Sequence, residues 1–305
     1  MKNTTKAYVA VTLQAVIVGF SFLFVKVALK SADTLSLLAH RFTLAALGIL
    51  LYRLLRPGQI KIRAADWRKI LPYSLAYPIA FFLLQTLGLQ RIASSEAGIV
   101  HATAPVWTLI AARILLKERI SRAQGLLMLL SVSGVVFIHI MNGFDPTNGG
   151  WLGFLFILLS AVAFAVYTAL TRRLSRSYSA LPIVYVMSIA GCVAFNLILI
   201  GRHLINGSLA AYFAPFAEPS FLGAILYLGV LSSLVTALLS TYALGKLEAT
   251  RVGLFNNMSV VVTVLAGTLL LRESLYYYHY IGILAILTGT IGFNLIKPPS
   301  KKASK

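Results

Sequence analysis

Two stretches of the sequence decide the fold. They read LQRIASSEAGIVHATAPVWTLIAARILLKE (Leu89 to Glu118) and LGKLEATRVGLFNNMSVVVTVLAGTLLLRE (Leu244 to Glu273), and they align without gaps at an offset of 155 residues. Apolar segments match easily by chance, but glycine, threonine and glutamate matches in one register indicate an internal repeat. The identical pairs are Leu89/Leu244, Gly98/Gly253, Val106/Val261, Thr108/Thr263, Ala111/Ala266, Leu115/Leu270, Leu116/Leu271 and Glu118/Glu273.

The composition identifies the environment of this repeat. Of the 305 residues, 59% are hydrophobic and 11% are charged, whereas a soluble domain averages about 25% charged residues. So few charges cannot cover the surface of a water-soluble globule, which excludes an ordinary soluble enzyme, and the high hydrophobicity excludes disorder. Since a membrane-spanning helix uses roughly 20 apolar residues, we predict an all-α polytopic membrane protein with ten transmembrane helices.

The apolar runs divide into two halves of five spans each. The first repeat covers 1–142, the second covers 143–298, and 299–305 forms a basic cytoplasmic tail. The last span has a small-residue face, typical of close helix packing, made by Gly282, Ala285, Gly289 and Gly292. The predicted spans are roughly 7–29, 35–55, 70–90, 94–116, 122–141, 151–171, 180–201, 221–244, 250–271 and 277–296.

The basic residues indicate the orientation of the spans. Of the 27 lysines and arginines, 20 fall in segments on the side of the N-terminus and 4 on the other side. The positive-inside rule then places both termini in the cytoplasm, and the basic excess needs no nucleic-acid partner. Because each repeat has five spans, the second repeat is inverted relative to the first. Inverted repeats give two near-equal packings, one open to each side, as in secondary transporters.

The repeat motifs APVWTLIAARILLKE (Ala104 to Glu118) and SVVVTVLAGTLLLRE (Ser259 to Glu273) resemble those of a known family. The sequence is similar, over nearly its whole length, to the drug/metabolite transporter superfamily and specifically to its EamA-type permeases. The resemblance implies a cavity lined by spans 1–4 and 6–9, with spans 5 and 10 at the periphery. It also implies transport of small metabolites, often amino acids. The family usually has a proline where Pro105 stands, whereas the second repeat has Val260.

Candidate cavity residues are the polar, ionisable and aromatic side chains inside the spans, because charge within hydrocarbon is costly and marks functional sites. Lys26 could instead extend to the outer headgroups. His101 and Asn256 occupy equivalent positions in the two repeats, where they could bind substrate or join helices. The candidates are Lys26, His40, Arg41, Tyr77, Gln85, His101, Trp107, Tyr167, Asn256 and Asn257.

Three glutamates lie near the ends of spans. Glu96 begins span 4, where it could serve the helix dipole or form an outer gate with Arg41 or Lys26. Glu118 and Glu273 precede spans 5 and 10, and a carboxylate at a helix N-terminus caps the first turn. No acidic residue is predicted at the centre of a span, which favours a facilitator or exchanger over histidine-linked proton coupling.

The sequence therefore predicts a secondary transporter of the bacterial inner membrane. The substrate expected from Lys26 and Arg41 is a small carboxylate-bearing metabolite such as an amino acid, moved outward. A lipid-linked or hydrophobic substrate on the same fold is the alternative. No catalytic motif is evident, so an enzyme is not expected, and neither is a metal or another cofactor. The chain could be a monomer or a homodimer.

Overall fold

The computed structural model of the protein describes residues 2–92, 97, 100–101, 103–118, 120–141, 150–262, 265 and 276–296. Within these residues, every regular element is helical. A 3₁₀ segment, Leu209–Ala217, connects two of the helices. The helices are α1 (Lys2–Ala28), α2 (Thr34–Leu55), α3 (Ala64–Leu89), α4 (Ala104–Leu116), α5 (Arg122–Met141), α6 (Gly150–Leu174), α7 (Ala180–Ile205), α8 (Pro219–Leu244), α9 (Ala249–Phe255) and α10 (Tyr277–Leu295).

Seven of these helices are long and apolar enough to cross a bilayer: α1, α2, α3, α6, α7, α8 and α10. The apolar parts of α4 and α5 that the structure describes are shorter. The prediction of a polytopic helical membrane protein is confirmed. The predicted spans 94–116 and 250–271 extend into residues outside the described part of the chain. Large apolar side chains face outward, as a lipid-facing surface requires; Leu54 and Ile114 are 77% and 72% exposed.

Helices α3 and α8 both depart from regular α geometry in mid-course. In α3, Leu71–Leu75 is a 3₁₀ turn and Ala76–Ala80 a π turn. In α8, Tyr227–Val235 is a long π turn. Such turns re-aim side chains and are frequent at functional sites. The least apolar predicted span, 70–90, is thus confirmed as part of a helix of spanning length.

Helices α2 and α7 pack against each other in antiparallel directions. At one end, Asp33 before α2 pairs with Arg202 near the end of α7. At the other end, Nη1 of Arg53 in α2 donates to the hydroxyl of Tyr185 near the start of α7, at 2.6 Å. The ends of α1 and α6, which lead into α2 and α7, therefore lie on opposite sides of the bundle. Around this pair, α1 packs on α8, α6 packs on α3 and α4, and α4 meets α9.

Helices α5 and α10 form a tightly packed pair. A methyl group on Gly134 of α5 would lie 2.7 Å from the carbonyl oxygen of Gly282 of α10. One on Gly289 would lie 2.6 Å from the backbone nitrogen of Ser131. The Ser131 and Thr290 hydroxyls are 3.1 Å apart. The small residues thus let the two backbones touch.

Candidate functional site

A narrow polar and aromatic cavity lies between the helices. Its volume is about 50 Å³, which holds a few water molecules at about 10–15 Å³ each. Small-molecule sites usually measure about 300–1,000 Å³, so a metabolite needs a wider form of the protein. The lining side chains are Gln14, Val18, Ser21, Phe22, Arg41, Tyr77, Phe81, Phe82, Gln85, His101, Phe164, Tyr167, Ser232, Thr236, Ser240, Asn256 and Ser259.

Arg41 is the cation of this cavity wall. It is 2% exposed. Its Nε donates to the Ser233 hydroxyl at 2.6 Å and its Nη2 to the Ser232 hydroxyl at 3.0 Å. The guanidinium carbon lies 4.1 Å from the ring centre of Phe82. Neither of the ion pairs in the described part of the chain includes Arg41, so its charge is balanced there only by hydroxyls and a π face.

Aromatic rings form a second wall. The rings of Tyr77 and Tyr167 stack with centroids 4.1 Å apart and an angle of 18° between planes. Phe81 stacks on Tyr77 at 5.4 Å and meets Phe164 at the same distance. Tyr77 leaves helical geometry, with φ −149° and ψ 122°, within the π turn of α3. The Tyr77 ring thus packs against α6 as well as against Phe81 of its own helix.

Two buried polar atoms of the cavity residues have no hydrogen-bond partner among the described residues. They are Oε1 of Gln14 and Nε2 of His101. The other end of the Gln14 amide donates to Oδ1 of Asn256 at 3.3 Å. A buried polar atom without a partner costs free energy. These atoms therefore suit a polar ligand or the water that replaces it.

The structure brings six of the ten predicted cavity residues to the cavity wall. These are Arg41, Tyr77, Gln85, His101, Tyr167 and Asn256. It also adds lining residues that the sequence reading did not select, among them Gln14 and Ser21. The repeat could have identified Ser21. It lies 146 positions before the predicted cavity residue Tyr167, and the ends of α1 and α6 are also 146 positions apart. Gln14 carried no such signal.

The other four predicted residues have contacts elsewhere. Nζ of Lys26 donates to the carbonyl oxygens of Leu89 and Ile92, at 3.2 and 3.3 Å. Nε2 of His40 is 3.0 Å from the Tyr212 carbonyl oxygen, among the aromatic rings of the 3₁₀ segment. The ring of His40 thus serves the packing of that segment.

Trp107 and Asn257 also contribute to helix packing. Nε1 of Trp107 donates to the Thr103 hydroxyl at 3.1 Å, just before the first turn of α4. Nδ2 of Asn257 donates to the Ser131 hydroxyl at 3.1 Å and so joins the α9 region to α5. Neither residue is among those that line the cavity.

Glu118 caps a helix, but not the one that follows it in sequence. Its carboxylate accepts from the backbone nitrogens of Ala249 and Thr250 at 3.1 and 3.3 Å and from the Thr250 hydroxyl at 3.0 Å. These groups form the start of α9 in the other half of the chain. The expected roles of Glu96 and Glu273 concern residues outside the described ranges. The described residues contain no group of three or more metal-ligating side chains.

Apolar helices of membrane-spanning length surround a buried polar cavity, an arrangement typical of membrane transport proteins. The chain belongs to the EamA-like transporter family, which matches residues 5–140 and 151–295. The family resemblance predicted from the repeat motifs is thus confirmed, and the two matches correspond to the two halves of the chain.

Individual relatives extend over nearly the whole chain. The "Uncharacterized transporter YcxC" of Bacillus subtilis (strain 168) is 44% identical over 291 residues, covering 95% of this chain and 93% of that protein. The "S-adenosylmethionine/S-adenosylhomocysteine transporter" of Chlamydia trachomatis serovar L2 is 28% identical over 276 residues, covering 86% and 81%. A solved crystal structure superposes with a TM-score of 0.74 at 17% identity over 95% of each chain, a likeness of fold.

Proposed function

We infer that the protein is a secondary transporter that moves a small carboxylate-bearing metabolite, such as an amino acid, out of the cell by alternating access. Arg41 binds the carboxylate. The observation that carries this proposal is the buried Arg41 guanidinium, held at the cavity wall by two serines. The family membership supplies the transport activity.

A charge at this depth needs a functional reason. Removing a guanidinium from water is costly unless an anion or several hydrogen bonds compensate. Arg41 has five N–H donors, of which two reach serine hydroxyls. A carboxylate fits the planar fork of the remaining donors and neutralises the charge. Binding such a substrate therefore satisfies a side chain that the protein leaves uncompensated.

The lining residues support two inverted five-helix repeats with ten spans. Helices α3 and α8 both have 26 residues and begin 155 positions apart, with π turns in matching parts. A two-fold axis through the cavity would relate such pairs, and it would give the protein two equivalent open forms. At the same offset, or at 146 for α1 and α6, the lining residues pair as Val18/Phe164, Ser21/Tyr167, Tyr77/Ser232, Phe81/Thr236, Gln85/Ser240 and His101/Asn256.

Arg41 breaks this symmetry. The position 146 residues later is Met187, which is 3% exposed and apolar. A single cation on one side of a symmetric cavity gives the substrate one binding orientation in both open forms. The distribution of basic residues favours an inner-membrane protein with both termini in the cytoplasm. The proposed direction of transport, outward, is the one predicted from the sequence.

The aromatic wall favours a substrate with a flat or apolar part beside the carboxylate. The relative named for S-adenosylmethionine fits this picture, because that compound carries both a carboxylate and an adenine ring. A lipid-linked or purely hydrophobic substrate is the second candidate, supported by the same rings. It would leave the unpartnered atoms of Gln14 and His101 without a hydrogen bond.

A thermal-shift screen of the purified protein tests the proposal. Amino acids, organic acids, nucleosides, sugars and lipid-linked compounds are added in turn, since a ligand of the folded state raises the melting temperature. We expect carboxylate-bearing compounds to raise it, and Arg41→Ala to abolish the rise. Arg113→Ala, which removes an exposed basic residue of α4, is the matched control. Equal shifts in wild type and Arg41→Ala, or a response only to lipid-linked compounds, would contradict the proposal.

A further inference from the structure

Two basic side chains bridge helices on opposite sides of the bundle in the same manner. Near the end of α1, Nζ of Lys26 donates to the carbonyl oxygen of Leu89 at 3.2 Å. Near the end of α6, Nη1 of Arg172 donates to the carbonyl oxygen of Leu244 at 2.6 Å. Leu89 and Leu244 are the last residues of α3 and α8. Helix C-termini present carbonyls without intrahelical partners and attract positive charge.

The two contacts occupy equivalent places in the two halves of the chain. Lys26 and Arg172 are 146 positions apart, the separation that also relates the ends of α1 and α6 and the starts of α2 and α7. Leu89 and Leu244 are 155 positions apart, the separation that relates α3 and α8. The same cation-to-carbonyl bond therefore occurs twice, although one cation is a lysine and the other an arginine.

Each contact also joins helices from different packing groups. Helix α1 packs on α8, while α6 packs on α3 and α4. Lys26 links the α1–α8 group to the end of α3, and Arg172 links the α6–α3 group to the end of α8. Both contacts thus cross from one side of the cavity to the other, each at a different end.

We propose that Lys26 and Arg172 alternately close the two ends of the transport pathway. The bond from Lys26 to the Leu89 carbonyl, here named the outer latch, forms when the outer end is closed and breaks when that end opens. The bond from Arg172 to the Leu244 carbonyl, the inner latch, does the same at the cytoplasmic end. This assignment rests on the alternating-access mechanism inferred above. Both latches are formed in this structure, in agreement with its narrow cavity.

Further bonds reinforce the inner end. The Ser175 hydroxyl lies 3.5 Å from the Thr241 carbonyl oxygen, one turn from the inner latch. The three hydrogen bonds of Glu118 to the start of α9 also join the two halves. Opening the cytoplasmic end must therefore break the inner latch together with the Glu118 contacts.

Cysteine labelling tests the latches without knowledge of the substrate. In a Cys192→Ser background, Ser240→Cys places one thiol on the cavity wall. A membrane-impermeant maleimide is added to intact cells, which exposes the outer side, or to inverted vesicles, which expose the cytoplasmic side. We expect Lys26→Ala to speed labelling from outside and Arg172→Ala to speed it from inside. A tenfold change corresponds to about 1.4 kcal/mol of lost closing free energy.

Matched controls separate latch loss from general loosening. Lys30→Ala removes an exposed lysine just beyond the end of α1, and Arg173→Ala removes the exposed neighbour of Arg172. In both control variants, the thiol at position 240 should react with the maleimide at the same rate as in the parent protein. Lys26→Arg and Arg172→Lys keep a cation and should also stay protected. Should an alanine variant fail to accumulate, Lys26→Gln and Arg172→Gln are measured in the same way.

The labelling pattern decides between outcomes. Acceleration on opposite sides for the two variants supports the latches, even if the carboxylate assignment at Arg41 fails. Acceleration on the same side for both, or no change in folded variants, overturns the latches. A ligand that binds through Arg41 while labelling stays unchanged would leave the substrate site in place and remove only the latches.

Discussion

The side chain of Thr108 in α4 lies directly against the backbone of Gly253 in α9. A methyl group on Gly253 would lie 2.9 Å from Cγ2 and 3.0 Å from the hydroxyl oxygen of Thr108. The two helices can cross this closely only because position 253 lacks a side chain. Both residues belong to the repeat, in which Gly98 and Thr263 are their counterparts.

Gly253→Ala should therefore loosen the crossing of α4 and α9. Overpacking of this kind costs about 1–3 kcal/mol, so we expect a lower melting temperature and slower transport. Gly223→Ala, at a position where a methyl group meets nothing within 4 Å, is the control. Adding Thr108→Ala to Gly253→Ala removes the clashing atoms and should recover part of the loss. A Gly253→Ala protein as stable as the control would contradict this account.

Ser233 is expected to position Arg41 rather than to touch the substrate. Ser233→Ala removes the 2.6 Å hydrogen bond from Nε of Arg41, and hydrogen bonds to charged groups contribute about 1.5–3 kcal/mol. We expect the half-saturation concentration to rise about tenfold, equivalent to about 1.4 kcal/mol, with little change in maximal rate. Ser233→Thr keeps a hydroxyl and should restore binding. The exposed Ser133, changed to alanine, serves as the control.

Asn256 and Asn257 are adjacent but should respond differently to substitution. Asn256 lines the cavity, so Asn256→Ala should reduce the melting-temperature rise that the ligand produces. Asn257 bonds to Ser131 of α5, and interhelical bonds in membranes contribute about 0.6–2 kcal/mol. Asn257→Ala should lower the melting temperature of the ligand-free protein and leave the ligand response unchanged. The reverse pattern would show that the roles assigned here to Asn256 and Asn257 are wrong.

The ion pair of Asp33 and Arg202 predicts a pH-dependent stability. Burial raises the pKa of Asp33, but hydrogen bonds from Arg202 and Ser36 outweigh it and hold the pKa below its usual range. A carboxylate with a lowered pKa stabilises the fold above its unfolded-state pKa, and the effect is lost as the pH falls through the folded-state pKa.

The measurement compares Arg202→Ala with wild type by thermal denaturation across pH. At pH 7, we expect the variant to be less stable by about 0.2–1 kcal/mol, because both side chains are more than a third exposed. The difference should shrink below pH 4 as Asp33 is protonated. Arg56→Ala removes the arginine 146 positions earlier and serves as the control. A difference that stays constant down to pH 3 would mean that Asp33 is not the partner that matters.

The class of protein and the repeat could be predicted from the sequence, because both depend on patterns along the chain. Hydropathy identifies apolar spans, and a fixed offset identifies the repeat. Arg41 could also be identified from the sequence, because a cation within an apolar span is costly whichever direction its side chain takes. The 155-residue offset also relates His101 to Asn256, and this relation does not depend on how their helices pack.

Side-chain direction could not be predicted in the same way. Adjacent helix residues point about 100° apart, so one of Asn256 and Asn257 had to leave the cavity, and only the packing of α5 decides which. Gln14 is an uncharged polar residue in an apolar run, and its counterpart at the 146-residue offset, Ser160, does not line the cavity. Glu118 caps a helix 131 residues away in sequence, a contact that depends on how the two halves meet.

The backbone contact between α5 and α10 has a practical consequence. Two helices that touch at Gly134 and Gly282, with Gly289 set against Ser131, cannot slide past each other without collision. We therefore expect this pair to move as one rigid unit in the proposed rearrangement of the cavity helices. An antibody fragment raised against the exposed Tyr276 and Tyr277 at its end would mark the same place in every form of the protein. In electron microscopy, the bound fragment would project from the detergent micelle that surrounds this small protein. It would therefore provide a fixed reference for aligning the particle images.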